Sequence, residues 1–210
     1  LGVGAGGVAL SMRRMTEANS RAIAIAGYDL ARRRNARRVS VIHKANVLRL
    51  SDGLFLETVR DVARAYPEIE TEEVLVDAAA ALMVRDPSRF DVVIATNMYG
   101  DILSDLASEL AGGLGLAASL NHGDGHAVAQ AQHGSAPEIA GQGVANPASL
   151  IGSVAMLLAH LGKDAAAAFI DAGLAAALSD PASRTRDLGG SADTKGMAKA
   201  IERHIERARQ

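Results

Sequence analysis

The sequence predicts an α/β protein built on a parallel sheet. Three observations carry that prediction. The chain has 210 residues, 49% of them hydrophobic and 22% charged, enough for one large core or two smaller ones. Short β-branched runs alternate with amphipathic helical stretches along the first half. The stretches between those runs are long enough for the right-handed crossovers that parallel strands require.

The elements follow in order. "TEANSRAIAIAGYDLARRR" offers Thr16 or Asn19 as a cap and apolar residues at helical spacing, giving a helix from about Ser20 to Arg33. "RRVSVIHKAN" is short and β-branched, a strand ending near His43. In "SDGLFLETVRDVARAYP", Ser51 or Asp52 serves as the cap, Leu54, Phe55, Val59, Val62 and Ala63 share a face, and Pro67 stops the helix. "TEEVLVD" reads as a strand ending at Asp77, "AAAALMVRD" as a short helix halted by Pro87, and "RFDVVIATN" as a strand ending at Asn97. Past "DILSDLASEL" a glycine-rich stretch marks a crossing between lobes, placing the boundary near Gly112 to Gly115. Helices are predicted from about Ala148 to Leu161, Lys163 to Leu178 and Thr194 to Arg207.

Composition narrows the function. With 22 basic and 24 acidic residues the formal net charge is −2, which leaves no electrostatic footprint for nucleic acid or an anionic membrane. The basic cluster Arg32, Arg33, Arg34, Arg37 and Arg38 is expected to close a helix at its C-terminal end. Without cysteine the chain holds no disulfide, thiolate metal site or cysteine nucleophile. The longest apolar stretch, around "LIGSVAMLLAHLG", is too short to span a bilayer and includes His160. The reading is a cytoplasmic protein with no membrane and no nucleic-acid partner. The chain begins with Leu1, and "LGVGAGGVAL" has neither the pattern of a signal peptide nor that of a helix start. Gly2, Gly4 and Gly7 match a dinucleotide fingerprint, with Asp29 further on, but no strand precedes them and the match is set aside.

Ligands of open parallel sheets collect at the carboxyl ends of the strands. Here those ends bring His43 and Lys44, Asp77, and Asn97 with Asp101 toward one edge. On a helix Asp101 and Asp105 lie about 40° apart on the polar face, opposite Ile102, Leu103, Leu106 and Leu110. Taken alone that helix could simply face water, with Asp101 as its cap. With Asp77 added, three carboxylates suit a hard octahedral cation such as Mg²⁺ or Mn²⁺. Lys44 is either a strand-end surface lysine or, beside such a cation, a base at neutral pH. The loop "QHGSAPEIAG" carries His133 and Glu138, and a carboxylate there would accept hydrogen bonds from a ribose 2′-hydroxyl.

Together "HKANVLRLSDGLF", "VDAAAALMVRDPSRFDVVIATNMYGDILSDLASEL", "GGLGLA", "HGSAPEIAGQGVANP" and "TRDLGG" resemble the isocitrate and isopropylmalate dehydrogenase family of β-decarboxylating dehydrogenases, in the right order over nearly the whole chain. The resemblance implies a two-lobed α/β homodimer that is not a standard Rossmann domain, with residues 1–112 forming the small, dimerising lobe and residues 113–210 the C-terminal part of the large, cofactor-binding lobe. It implies NAD- and Mg²⁺- or Mn²⁺-dependent oxidation of a 2-hydroxy acid, followed by loss of its 3-carboxylate as CO₂. Lys44 matches the family's catalytic lysine, Asp77 the metal aspartate lent by the partner subunit, and Asp101 and Asp105 the metal aspartates of the "GDILSD" helix. His133, Gly134, Ser135, Ala136 and Asn146 match the adenosine-binding loop, and Glu138 stands where NAD-preferring members carry an acid.

The sequence departs from the family pattern in three ways. "AQAQHG" lacks the acid and proline that many members place before the histidine. Leu1 aligns well inside the family, so the nicotinamide-side threonine loop, the substrate-binding arginines, the catalytic tyrosine and the first strands of the large lobe have no counterpart, and none of Tyr28, Tyr66 and Tyr99 matches that tyrosine. Substrate choice is read mainly by those arginines; "HKANV" with "SDGLF" is nearer the isocitrate and homoisocitrate branches, with 3-isopropylmalate and tartrate as alternatives. A dimerising remnant or regulatory subunit without turnover is the other reading.

Overall fold

The computed structural model of the chain describes residues 7–208. Of the set-aside glycine fingerprint, Gly2 and Gly4 lie outside the described residues. The chain divides into two compact units, one up to Leu106 and one from Ala107. The break falls within a helix, a few residues before the glycines expected to mark it.

In the first unit, helix α1 (Glu17–Arg34) begins one turn earlier than the apolar spacing suggests, because Thr16 accepts a hydrogen bond from the Asn19 amide at 3.2 Å and starts the helix there. Three parallel strands, β1 (Arg38–His43), β2 (Glu70–Leu75) and β3 (Val92–Ala95), lie in the order β2-β1-β3. Helix α2 (Ser51–Ala63) connects the first pair, and α3 (Val76–Arg85) leads from the second strand to the third. β1 is central, so both its faces are covered and Val39 to Ile42 are at most 1% exposed. Val39 and Val41 pack with Val92, Ile94, Phe55, Val59 and Tyr28 under α1 and α2. Ile42 turns the other way, against Val74, Ala79, Met83 and Leu103. Because the strands are parallel, their carboxyl ends share one edge, as the sequence predicts.

Two boundaries differ from expectation. β2 ends at Leu75 and α3 starts at once, so Asp77 stands in the first turn of a helix and not on a strand. Helix α4 runs Asn97–Leu110, which places Asp101 in its second turn and rules it out as the cap. Only part of the arc opposite the aspartates is buried: Leu103 is covered, while Ile102 is 60% exposed.

In the second unit, the end of the glycine-rich stretch and the residues just after it form an antiparallel hairpin, β4 (Ala118–His122) and β5 (Ala127–Ala131). Helix α5 (Ala148–His160) lies on it. The Ser149 hydroxyl accepts from the Gln132 amide at 3.1 Å, and the Ser153 hydroxyl accepts from the Ser119 amide at 3.0 Å while donating to the Gln130 carbonyl at 2.7 Å. Gly152 lets the helix come close, since a Cβ there would stand 3.3 Å from that of Ala118. Helices α6 (Asp164–Ser179) and α7 (Thr194–Ala208) complete the unit around Ala177, Met197, Ala200 and Ile201. Among the described residues no helix is long and apolar enough to cross a membrane.

Candidate active-site residues

In the first unit the chemistry gathers at the carboxyl edge of the sheet. β1 delivers Lys44 just past its last paired residue, and the start of α3 delivers Asp77; the Lys44 Nζ lies 2.5 Å from Asp77 Oδ1. The ammonium, and after it the Asp77 backbone amide, hold the Asp77 carboxyl below the usual aspartate range. Asp77 is still 66% exposed, so the pair is open to a ligand. Residues 1–106 contain 13 arginines and one lysine, and that lysine is Lys44. Arginine stays protonated in proteins, whereas an amine can give up its proton and take it back. The one amine side chain of this unit stands where the strands end, beside the His43 imidazole. Next to it, burial pushes the His43 imidazole below its ordinary range, and its Nδ1 accepts the Ala45 amide at 3.1 Å.

Asp52, read from sequence as one of two possible caps, has a different task. No side-chain bond caps α2. Asp52 is fully buried; one carboxylate oxygen takes the Lys44 amide at 2.7 Å and the other the Arg13 guanidinium. Arg13 also donates to Ser51 Oγ at 2.9 Å and lies 5.7 Å from the Tyr99 ring centroid. The signal for this role was a buried acid eight residues after a candidate catalytic lysine, but burial is not visible in "SDG".

Asp101 and Asp105 lie exposed, one turn apart on α4. The donor set suits a hard cation in kind, with carboxylate oxygens and neither nitrogen nor sulfur among Asp77, Asp101 and Asp105. It is divided in place: no group of three acidic, histidine or cysteine side chains among the described residues stands together as a metal site. The convergence expected at the sheet edge therefore holds for Lys44 with Asp77 and does not extend, within one chain, to a gathered carboxylate triad.

The second unit brings its predicted residues together. His133, Gly134, Ser135, Ala136, Glu138 and Asn146 all line one open pocket of about 590 Å³. Ala136 adopts a left-handed backbone, φ 40°, just before Pro137, a costly conformation for a residue with a Cβ and of a kind that recurs at ligand-binding loops. The His133 ring donates through Nδ1 to the Gly134 carbonyl oxygen at 3.0 Å. Both ends of the Asn146 amide are committed to the protein: Oδ1 accepts the Ala148 amide at the start of α5, and Nδ2 donates to Asp187, each at 2.9 Å. Asn146 thus contributes wall and backbone to the pocket. Asp187, from "TRDLGG", also lines it, a residue to which sequence reasoning gave no role. Gly115 fits beneath, where a Cβ would meet Asp187 at 2.9 Å.

Comparison with known proteins gives a consistent result. Residues 2–201 match the isocitrate/isopropylmalate dehydrogenase family. The chain is 44% identical over 200 residues to the mitochondrial NAD isocitrate dehydrogenase catalytic subunit 5 of Arabidopsis thaliana, covering 95% of this chain and 54% of that protein. It is 43% identical over 201 residues to the mitochondrial NAD isocitrate dehydrogenase subunit alpha of Homo sapiens, covering 95% and 55%. The chain therefore spans about half the length of these curated relatives. Among solved structures, isocitrate dehydrogenase from Methylococcus capsulatus superposes with a TM-score of 0.91 at 43% identity, covering 100% of this chain and 62% of that one. A beta-decarboxylating dehydrogenase from Thermococcus kodakarensis superposes with a TM-score of 0.86 at 37% identity, covering 99% and 60%.

Proposed function

We infer that this chain, which belongs to the isocitrate/isopropylmalate dehydrogenase family, carries the proton-handling and nucleotide-binding parts of an NAD- and Mg²⁺- or Mn²⁺-dependent enzyme that oxidises a 2-hydroxy-3-carboxy acid of the isocitrate type and releases the 3-carboxylate as CO₂. The observation that carries the reading is the lone lysine of residues 1–106 paired with Asp77 at 2.5 Å on the sheet's carboxyl edge.

When bound, the divalent ion supplies Lewis acidity at the substrate's hydroxyl and neighbouring carboxylate, and NAD supplies the hydride acceptor. The chain's own residues do the rest. Asp77 orients the Lys44 amine, which holds the hydroxyl proton as the alcohol becomes a ketone. Asp101 and Asp105 offer two of the ion's oxygen ligands. Across the 133–146 loop, His133, Gly134, Ser135 and Ala136 bound the space for adenosine with Asn146. Glu138 accepts from ribose hydroxyls and repels a 2′-phosphate, which favours NAD over NADP.

The carboxylates are divided in place, which supports a site shared between two copies, with Asp77 serving the partner's Asp101 and Asp105. Val84 on α3 and Met98 and Ile102 on α4 are each more than half exposed and give such a pairing apolar surface. In this proposal the first unit is the dimerising lobe and the second belongs to the cofactor lobe. Relatives named as subunits make a second, different subunit an alternative partner. The cytoplasmic reading rests on composition alone, and the two relatives described above are named as mitochondrial.

A second reading, a dimerising subunit without turnover, draws on a relative named as a subunit of NAD isocitrate dehydrogenase. The test is NADH formation by the purified chain with Mn²⁺ and, separately, isocitrate, homoisocitrate, 3-isopropylmalate and tartrate. Turnover with isocitrate that falls by about 100-fold or more in Asp101→Asn supports the enzyme. A folded dimer that binds NAD and turns over none of the four supports the second reading.

A further inference from the structure

We propose that Asp52, clamped by Arg13, is a positioning residue that fixes the backbone of Lys44 and thereby holds the Lys44 amine over Asp77. The proposal rests on the functional reading above for the meaning of Lys44, and on the geometry around Asp52 for everything else.

A carboxylate with no exposed surface is retained only where its charge and lone pairs are matched. Asp52 meets that condition by dividing its two oxygens between different stretches of chain. One oxygen holds the amide of Lys44, which lies just past the last paired residue of β1 and so beyond its ladder. The other holds Arg13, from the segment before α1. Arg13 is itself fixed by Ser51 Oγ and by the Tyr99 ring at the start of α4. Burial pushes the Tyr99 hydroxyl above its usual range, and the negative charge of Asp52 adds to that. One buried side chain thus ties together the residue before α1, the turn that carries Lys44, and the first turn of the helix that carries Asp101. Lys44 has a flexible four-carbon stem. Fixing its backbone adds to the Asp77 ion pair in directing the amine.

An asparagine at position 52 keeps the shape and breaks the clamp. Its amide has one accepting and one donating end, while Lys44 and Arg13 both donate. In either orientation a donor faces a donor.

The experiment is zero-length carbodiimide cross-linking of the full 210-residue chain, reading the Lys44–Asp77 isopeptide by peptide mass spectrometry, with acetylation of Lys163, Lys195 and Lys199 as internal reference. Asp52→Asn and Arg13→Gln are each expected to lower the yield about fivefold at unchanged helical circular dichroism, and Arg13→Lys to recover part of it. A folded Asp52→Asn chain within about twofold of the parent overturns the proposal. If Asp52→Asn fails to fold, Arg13→Gln decides by the same criterion. The cross-link needs neither metal, NAD nor turnover. A chain that turns over no substrate yet loses the cross-link keeps the positioning role and loses the functional reading; an active enzyme with an unaffected cross-link does the reverse.

Discussion

In residues up to Leu106 the ion-paired acids other than Asp77 are held by arginines: Arg60 grips Glu73 through two bonds, Arg32 holds Glu68, Arg21 bridges Glu17 and Asp61, and Arg13 holds Asp52. From Ala107 on, the fixing is done by small groups, with serine hydroxyls stitching the hairpin to α5 and glycines admitting backbones at short range. In the proposed function the two regions would hold different ligands. Proton transfer and a cation need charged groups kept in fixed places, which a twice-covered parallel sheet provides. A nucleotide needs shape and backbone polarity, which a glycine-rich loop over small residues provides, with Glu138 and Asp187 as charged groups in its lining.

That contrast can be broken at its strongest points. Phe55→Ala, which empties the packed face beneath α1 and α2, is expected to cost about 3–5 kcal/mol in denaturant unfolding. The second region has its own equivalent in close approach. Gly190→Ala would drive a methyl group into the Arg184 carbonyl, a backbone atom that cannot step aside, for about 1–3 kcal/mol. A loss below that range would mean that the small-residue packing has slack.

A smaller effect is expected from pH. The His43 imidazole has its affinity for protons lowered by burial, so below its unfolded value near 6.5 the unfolded chain takes up the proton first and stability falls as pH falls. Above that value both states are neutral and the contribution vanishes. Unfolding midpoints measured between pH 7.5 and 5.5 should decline, and His43→Asn, which keeps an acceptor for the Ala45 amide, should flatten that decline. The least effect is expected at the arginine pairs themselves. Arg60→Ala breaks a two-bonded but half-exposed pair and should cost about 0.5 kcal/mol, reduced further by salt. A larger loss would show that these pairs add stability as well as place.

Much of the first region was legible in the sequence. "SVIH" is apolar enough for a strand covered on both faces, Thr16 announces its helix, and the alternation of runs and helices fixes a parallel sheet. The hairpin was not legible. "ASLNH" and "AVAQA" contain one β-branched residue, Val128, and become strands through Ser149 and Ser153 on a helix far along the chain. Asp52 misled for a related reason. A serine-aspartate pair before an apolar run has the chemistry of a cap, and the Lys44 amide and Arg13, 8 and 39 residues earlier, claim the aspartate for another use. His133 and Glu138 stand out in the polar loop itself, Gly134, Ser135, Ala136 and Asn146 only through the family resemblance, and their common pocket includes Asp187 and Gly115, which local pattern does not point to.

The strand order also sets a timetable. β1 meets no neighbour near it in sequence: Arg38 pairs with Glu70, 32 residues on, and Val39 with Val92, 53 residues on. The hairpin of the second region closes over four residues, from His122 to Ala127. Local pairing of that kind forms in microseconds, whereas the central strand must wait for two distant partners and bear the entropy of both loops. On the ribosome β1 would stay without its second partner until residue 92 is free. The most buried strand of the protein is thus the one left longest exposed to intermolecular pairing.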